Sequence, residues 1–210
     1  MKSLKEIMQY PGMWRTSKGF GVHSPFAYNF ITRVICEHEA AYYAYSEIAA
    51  FCPKSKKATF NEIFAGRDMS ISEGQLIFRI LCYFNPGEVV EIGHGHEVTG
   101  VILRNAVPNA RTSNFHHSRT GTPLPDSGCV IIANQCSPDE RDSVAKYLKE
   151  IVSSRDAIII MRNLRSVPLF AGIWKEITES ADHGMTFTDG WTGIFVARRN
   201  LPRMSYRLLM

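Results

Sequence analysis

The chain has 210 residues, of which 45% are hydrophobic and 21% charged, and its formal net charge is +4. These values are typical of a soluble globular domain that is long enough to bury its own core. The charge is only mildly basic and no dense run of Lys and Arg occurs, so we expect no nucleic-acid partner.

The sequence has no apolar stretch of membrane-spanning length and no secretory signal at its start, so we expect a cytoplasmic protein without membrane association. The cysteines are odd in number and lie mostly in apolar runs. This pattern is typical of reduced thiols in an intracellular protein and argues against a disulfide framework.

Residues 1–84 are predicted to form a helical extension that packs on the sheet described below. Turn-forming residues are expected to break any long helix near the start, namely Pro11, Gly12, Gly19 and Gly21. The first clear helix signal is Ser24 as a cap followed by Pro25 in the first turn. Further helices are predicted over 41–51 and over 70–84, the latter with an apolar face and a serine cap.

Residues 85–210 show strands and helices in alternation. The predicted strands are 88–92, 110–115, 129–133, 156–162, 185–188 and 192–199, and the predicted helices are 97–106, 138–152 and 169–180. The runs CVIIA and AIIIM are apolar throughout, as expected for strands that helices cover on both faces. The pattern predicts an open, mostly parallel, Rossmann-like α/β sheet, with GIFVARR as an antiparallel last strand. Such sheets bind ligands outside the carboxyl ends of their strands.

Several stretches together resemble a bacterial family of class I S-adenosylmethionine-dependent methyltransferases. They are GVHSPF at 21–26, YYAY at 42–45, GQLIFRI at 74–80, WKEI at 174–177 and RRNLPR at 198–203. The resemblance covers nearly the whole chain. It implies a methyltransferase sheet behind an N-terminal helical cap, with S-adenosylmethionine as the cofactor.

The resemblance also implies positions for the cofactor. The segment VVEIGHGHEVTG matches the family's E-x-G-x-G-x-G turn at Glu91, Gly93 and Gly95, but Glu97 replaces the third glycine. His116 stands where the family has an acidic residue that accepts both ribose hydroxyls. A neutral histidine accepts only one hydrogen bond. We therefore interpret the cofactor-binding positions as vestigial, and these are Glu91, Gly93, His94, Gly95 and His116.

The chain is shorter than the family between its second and third strands. About a dozen residues replace a helix, a strand and another helix, which is too few for that crossover. We therefore expect about six strands, with strand 110–115 at an edge of the sheet. Two carboxylates of related enzymes are also replaced, by Ala133 and Arg162, so that Asn163 is the remaining oxygen ligand.

Histidines follow two strands that are expected to be neighbours. His94, His96, His116 and His117 could bind zinc or another transition metal, with Glu97 as an added ligand. The alternative is that these are exposed loop histidines without a role, and the sequence favours this alternative.

Two functions remain open. The favoured one is a methyltransferase-like protein with a degenerate cofactor site that binds another small molecule or a protein partner without catalysis. The alternative is an active S-adenosylmethionine-dependent methyltransferase that acts on a small molecule. No catalytic residue is assigned, and a homo-oligomer remains open.

Overall fold

A computed structural model of the protein describes residues 4–37, 39–52, 69–93, 97–115 and 123–210, with side chains from residue 10 onward. Before the first strand it contains helices α1 (Leu4–Ser17), α2 (Pro25–Phe30, continued by a π-helical turn Ile31–Ile35), α3 (Ala44–Phe51) and α4 (Ile71–Phe84). The later helices are α5 (Glu97–Ala106), α6 (Arg141–Ser154) and α7 (Pro168–Ser180). None of the described helices is both long and apolar enough to cross a membrane.

The described residues form one sheet of seven strands in the order β2-β1-β3-β4-β6-β5-β7. The strands are β1 (Glu88–Ile92), β2 (Arg111–Phe115), β3 (Cys129–Ala133), β4 (Ala157–Met161), β5 (Met185–Thr188), β6 (Gly193–Ala197) and β7 (Met204–Arg207). Only β6 runs antiparallel to its neighbours, β4 and β5. The predicted α/β class, the mostly parallel sheet and the reversed strand are therefore confirmed.

The predicted count of about six strands is wrong, and so is the prediction that GIFVARR is the last strand. The additional strand is β7, which pairs in parallel with β5 at the far edge of the sheet. Its Tyr206 is the one buried residue of the strand and stacks on Phe187, with ring centroids 5.3 Å apart. In a strand of four residues with one buried side chain, the alternation of apolar and polar residues is too short to be recognised in the sequence. Strand β2 does form the other edge, as predicted from the shortened crossover.

The prediction that residues 1–20 contain no long helix is also wrong, since α1 includes both Pro11 and Gly12. Proline removes one backbone donor from a helix interior, but tertiary contacts can offset that loss. Here the hydroxyl of Ser17 accepts a hydrogen bond of 2.8 Å from the backbone N–H of Leu209, which ties the last turn of α1 to the residues after β7. The helix ends at Ser17, two residues before Gly19, which has a positive φ.

The core lies on both faces of the sheet. One face packs against α2 to α5, which share a hydrophobic cluster with strand residues such as Val89, Ile132 and Ile160. The other face packs against α6 and α7. Alternate residues of β1, β3, β4 and β6 therefore point either toward α4 or toward α6 and α7.

Candidate functional site at the carboxyl ends of the strands

Glu91 and Gly93 lie at the end of β1, where the resemblance places the start of a cofactor turn. Glu91 is buried on the α4 face of the sheet, and burial raises the pKa of its carboxyl group to about 6. Glu97 begins α5 and is exposed. The other sequence-predicted positions, His94, Gly95, His96, His116 and His117, lie outside the described residues. Within the residues that are described, no three His, Cys, Asp or Glu side chains converge as a metal site.

Gly93 is a glycine because the neighbouring loop lies against it. Its φ is +85°, and a Cβ built on it would lie 2.5 Å from the backbone oxygen of Gln135. The same loop is held to β1 by the N–H of Asn134, which donates to the carbonyl of Ile92 at 2.9 Å. The close approach at this glycine is therefore made by the protein's own chain.

Four residues form a row across the carboxyl edge of the central strands. The register of the ladders places Gly93 beside Asn134, Asn134 beside Arg162, and Arg162 beside Thr192. The N–H of Arg162 donates to the carbonyl of Ala133 at 3.1 Å, so the ladder continues past the strand ends. We refer to Gly93, Asn134, Arg162 and Thr192 as the end row. The side chains of Asn134 and Arg162 point toward α4, because Ile132 and Ile160, two positions earlier, do so.

Arg162 of the end row forms a buried ion pair with Glu73 of α4. Its Nη2 lies 3.1 Å from Oε2 of Glu73, and its Nη1 donates to Oδ1 of Asn134 at 3.1 Å. The hydroxyl of Thr192 donates to the other carboxylate oxygen of Glu73 at 3.2 Å. The side chains of Arg162 and Glu73 are 0% and 4% exposed. The pair is therefore shielded from solvent, and each charge depends on the other for compensation.

The resemblance places Arg162 where a carboxylate is expected, and Glu73 is not among the predicted site residues. A signal for Glu73 was present, because it shares a helix face with Ile77 and Ile80 on the apolar side of α4. A carboxylate on such a face needs a buried partner. Arg165, three residues after Arg162, is exposed and lies over the ring of Trp191, 5.4 Å from its centroid.

Asn163 follows Arg162 in an unusual environment. Its φ is +60°, it is 2% exposed, and neither polar atom of its side chain has a hydrogen-bond partner within the described chain. The Nδ2 atom of Asn134 likewise lacks a partner there. Buried amides of this kind usually bind water or a ligand. The residue predicted as the remaining oxygen ligand is thus a buried amide with unused hydrogen-bonding capacity.

A cavity of about 330 Å³ opens beside the end row, which contributes Thr192 to its wall. The start of α4 supplies Glu73, Leu76 and Arg79, and the turn before β6 supplies Asp189 and Trp191. This volume lies at the lower end of the range for small-molecule sites in proteins. The cavity is not predictable from the sequence, because its walls come from distant segments of the chain.

Arg79 is the buried cation of this cavity. Its Nε donates to the carbonyl of Val34 at 2.6 Å, its Nη2 to the carbonyl of Ile35 at 3.1 Å, and its Nη1 to the hydroxyl of Tyr45 at 3.0 Å. All three acceptors are neutral, and Arg79 is 7% exposed. At the other end of the cavity, Oδ1 of Asp189 accepts the N–H groups of Trp191 and Thr192, both at 2.8 Å.

No protein-family model matches this chain, and no curated protein is similar enough to it to count as a match. The basis for a functional proposal is therefore the geometry of the end row, of Glu73 and of the adjoining cavity.

Proposed function

We propose that this chain is a methyltransferase-like protein with a degenerate S-adenosylmethionine site, and that it binds a different small molecule or a protein partner without transferring methyl groups. The observation that carries the proposal is the buried guanidinium of Arg162 at the carboxyl end of β4. The family resemblance expects a carboxylate at this position, which would bind a divalent cation or orient a substrate hydroxyl.

The charge of Arg162 is opposite to the one that such chemistry requires. A hard cation needs several oxygen ligands, preferably anionic. The guanidinium is instead compensated by Glu73 and held by Asn134. The carboxylate of Glu73, next to the end row, is therefore occupied in an internal ion pair. This supports a site that no longer serves the family's chemistry.

The surroundings of Gly93 support the same proposal. Ligands of open α/β sheets bind where the strand order reverses, and in this sheet that point lies between β1 and β3. The backbone of Gln135 lies directly against Gly93 at this crevice. A cofactor that relies on close approach to the backbone of Gly93 would have to displace that loop.

Calorimetric titration with S-adenosylmethionine and S-adenosylhomocysteine tests the proposal. We expect no detectable binding at sub-millimolar concentration. Replacing the acidic ribose partner by His116 removes a charge-assisted acceptor, which weakens binding by roughly one to two orders of magnitude. The double variant Glu97→Gly with His116→Glu should recover little binding, because it restores neither the missing crossover nor the crevice beside Gly93.

A micromolar dissociation constant for either compound with the unmodified protein would contradict the proposal. It would favour the alternative function, an active methyltransferase that acts on a small molecule. Methyl transfer would then be sought with the same protein sample.

A further inference from the structure

We infer that the cavity between α4 and the turn before β6 binds a small organic carboxylate, with its carboxylate group at Arg79. The inference deepens the proposed function, and rests on it, by naming the chemical class of the ligand. It is carried by one feature, a buried guanidinium that lines a cavity and has no acidic partner among the described residues.

Arg79 has no carboxylate partner within the described residues, and two of its acceptors are the last carbonyls of the π-helical turn Ile31–Ile35. No carboxylate of the described chain lies within ion-pair distance of it, and three of its five N–H groups donate to neutral oxygens. Burying a cation is costly unless an anion accompanies it. Two N–H groups remain for a ligand, and a guanidinium presents its donors in a planar fork that matches a carboxylate.

The two acidic side chains of the cavity wall do not compensate Arg79. Glu73 lies six residues earlier on α4, which places it about 9 Å away along the helix axis. It is already paired with Arg162. The carboxylate of Asp189 accepts the N–H of Thr192, and the hydroxyl of Thr192 donates to Glu73. Asp189 therefore also lies at the Glu73 end of the cavity. The cavity thus has an acidic end and a separate cationic end.

The wall near Arg79 combines apolar side chains with the amide of Gln75, which lies one turn before Arg79 on α4. Ile35, Leu76 and Met210 line it there, and Leu76 lies one turn before Arg79 on the same helix. Inorganic phosphate, with charge on all sides, would leave its other oxygens against these side chains. A carboxylate with a short apolar body matches both the charged and the apolar parts of the wall.

Hexanoate and hexanamide are the matched probes, because they share the apolar body and differ in charge. We expect calorimetry to show hexanoate binding about tenfold tighter than hexanamide, the difference expected when a hydrogen bond gains a charged partner. Inorganic phosphate should bind more weakly than hexanoate. Equal binding of hexanoate and hexanamide, or the absence of hexanoate binding at about 10 mM, would overturn the inference.

Variants locate the site. Arg79→Lys keeps the positive charge but lacks the planar fork of N–H donors. We expect this variant to lose most of the preference for hexanoate over hexanamide. Because Arg79 also joins α4 to the backbone at Val34 and Ile35, this variant could fail to fold. Gln75→Trp, at a half-buried position of the cavity wall, should then abolish hexanoate binding by filling the space. Gln75→Ala is its control and should retain binding.

The same series separates the inference from the proposed function. S-adenosylmethionine is titrated into the same protein sample. Binding of S-adenosylmethionine would contradict the proposed function, whereas failure of hexanoate to bind, with S-adenosylmethionine also not binding, contradicts only the ligand class. Hexanoate binding that persists unchanged in Gln75→Trp would place the ligand elsewhere and would also overturn the inference.

Discussion

At the scale of single residues, Glu91 shows how one buried carboxyl group makes stability depend on pH. It is 8% exposed, and no group of the described chain donates a hydrogen bond to it. Burial disfavours the charged form, which raises its pKa from 4.5 to about 6. The folded protein therefore binds this proton more tightly than the unfolded chain does.

The stabilising contribution of Glu91 is fully present below pH 4.5 and is lost as the pH rises through 6. Glu91→Gln keeps the shape without the charge. We expect its free energy of unfolding, relative to the unmodified protein, to rise by about 2 kcal/mol between pH 4.5 and pH 7. Urea unfolding at several pH values measures this difference.

The matched control is Glu179→Gln, whose side chain is 64% exposed. Its free energy of unfolding should stay within about 0.5 kcal/mol of the unmodified protein across the same range. A difference for Glu91→Gln that does not change with pH would contradict the assignment of a raised pKa to Glu91.

At the scale of elements, α1 is a helix that its own sequence does not favour. Pro11 and Gly12 lie in its interior, and both residues disfavour helix relative to alanine. Its last turn is held from outside, since Ser17 accepts the N–H of Leu209 beyond β7. The C-terminal residues therefore stabilise the N-terminal helix, and each end of the chain depends on the other.

Gly12→Ala tests whether residue 12 is helical. A Cβ at Gly12 meets no atom within 4 Å, so the change adds helix propensity without a clash. We expect the free energy of unfolding to increase by roughly 0.5–1 kcal/mol. Thermal or urea unfolding measures it.

Gly190→Ala is the matched control, because a Cβ there also meets no atom, whereas its φ is +90°. Strain in the left-handed region should make this variant less stable by roughly 1 kcal/mol. If Gly12→Ala lowers the free energy of unfolding as Gly190→Ala does, residue 12 does not lie in a helix interior.

At the scale of the whole molecule, the ion pair of Glu73 and Arg162 links α4 to the centre of the sheet. Glu73 belongs to α4, while Arg162 follows β4, and both side chains are buried. Removing one partner leaves a buried charge without compensation. Removing both avoids that penalty.

A double-mutant cycle measures the coupling. We expect Glu73→Leu and Arg162→Met each to lower the free energy of unfolding by roughly 3–5 kcal/mol, and the double variant to cost much less than their sum. The control is Lys175→Ala, which removes an exposed pair with Glu179 and should cost less than about 1 kcal/mol. Additive costs at Glu73 and Arg162 would show that the two side chains do not compensate each other.

The sequence alone determined the elements whose patterns are local. Strands such as CVIIA and AIIIM were predictable because continuous apolar runs of that length suit strands that are covered on both faces. The bounds of α5 and the cap of α2 at Ser24, which accepts the N–H of Ala27, also follow from nearby residues. The edge position of β2 followed from the length of the connection after it.

Only the tertiary structure decided the rest, because the deciding partners are far apart in the chain. Strand β7 exists through its pairing with β5, and the stacking of Tyr206 on Phe187 is not visible in a four-residue segment. Glu73 is 89 residues from Arg162, and Arg79 is about 45 from Val34. A charged residue in sequence carries no sign of whether folding will expose it, pair it or leave it buried beside a cavity. That depends on which side chains the sheet and the helices bring to it.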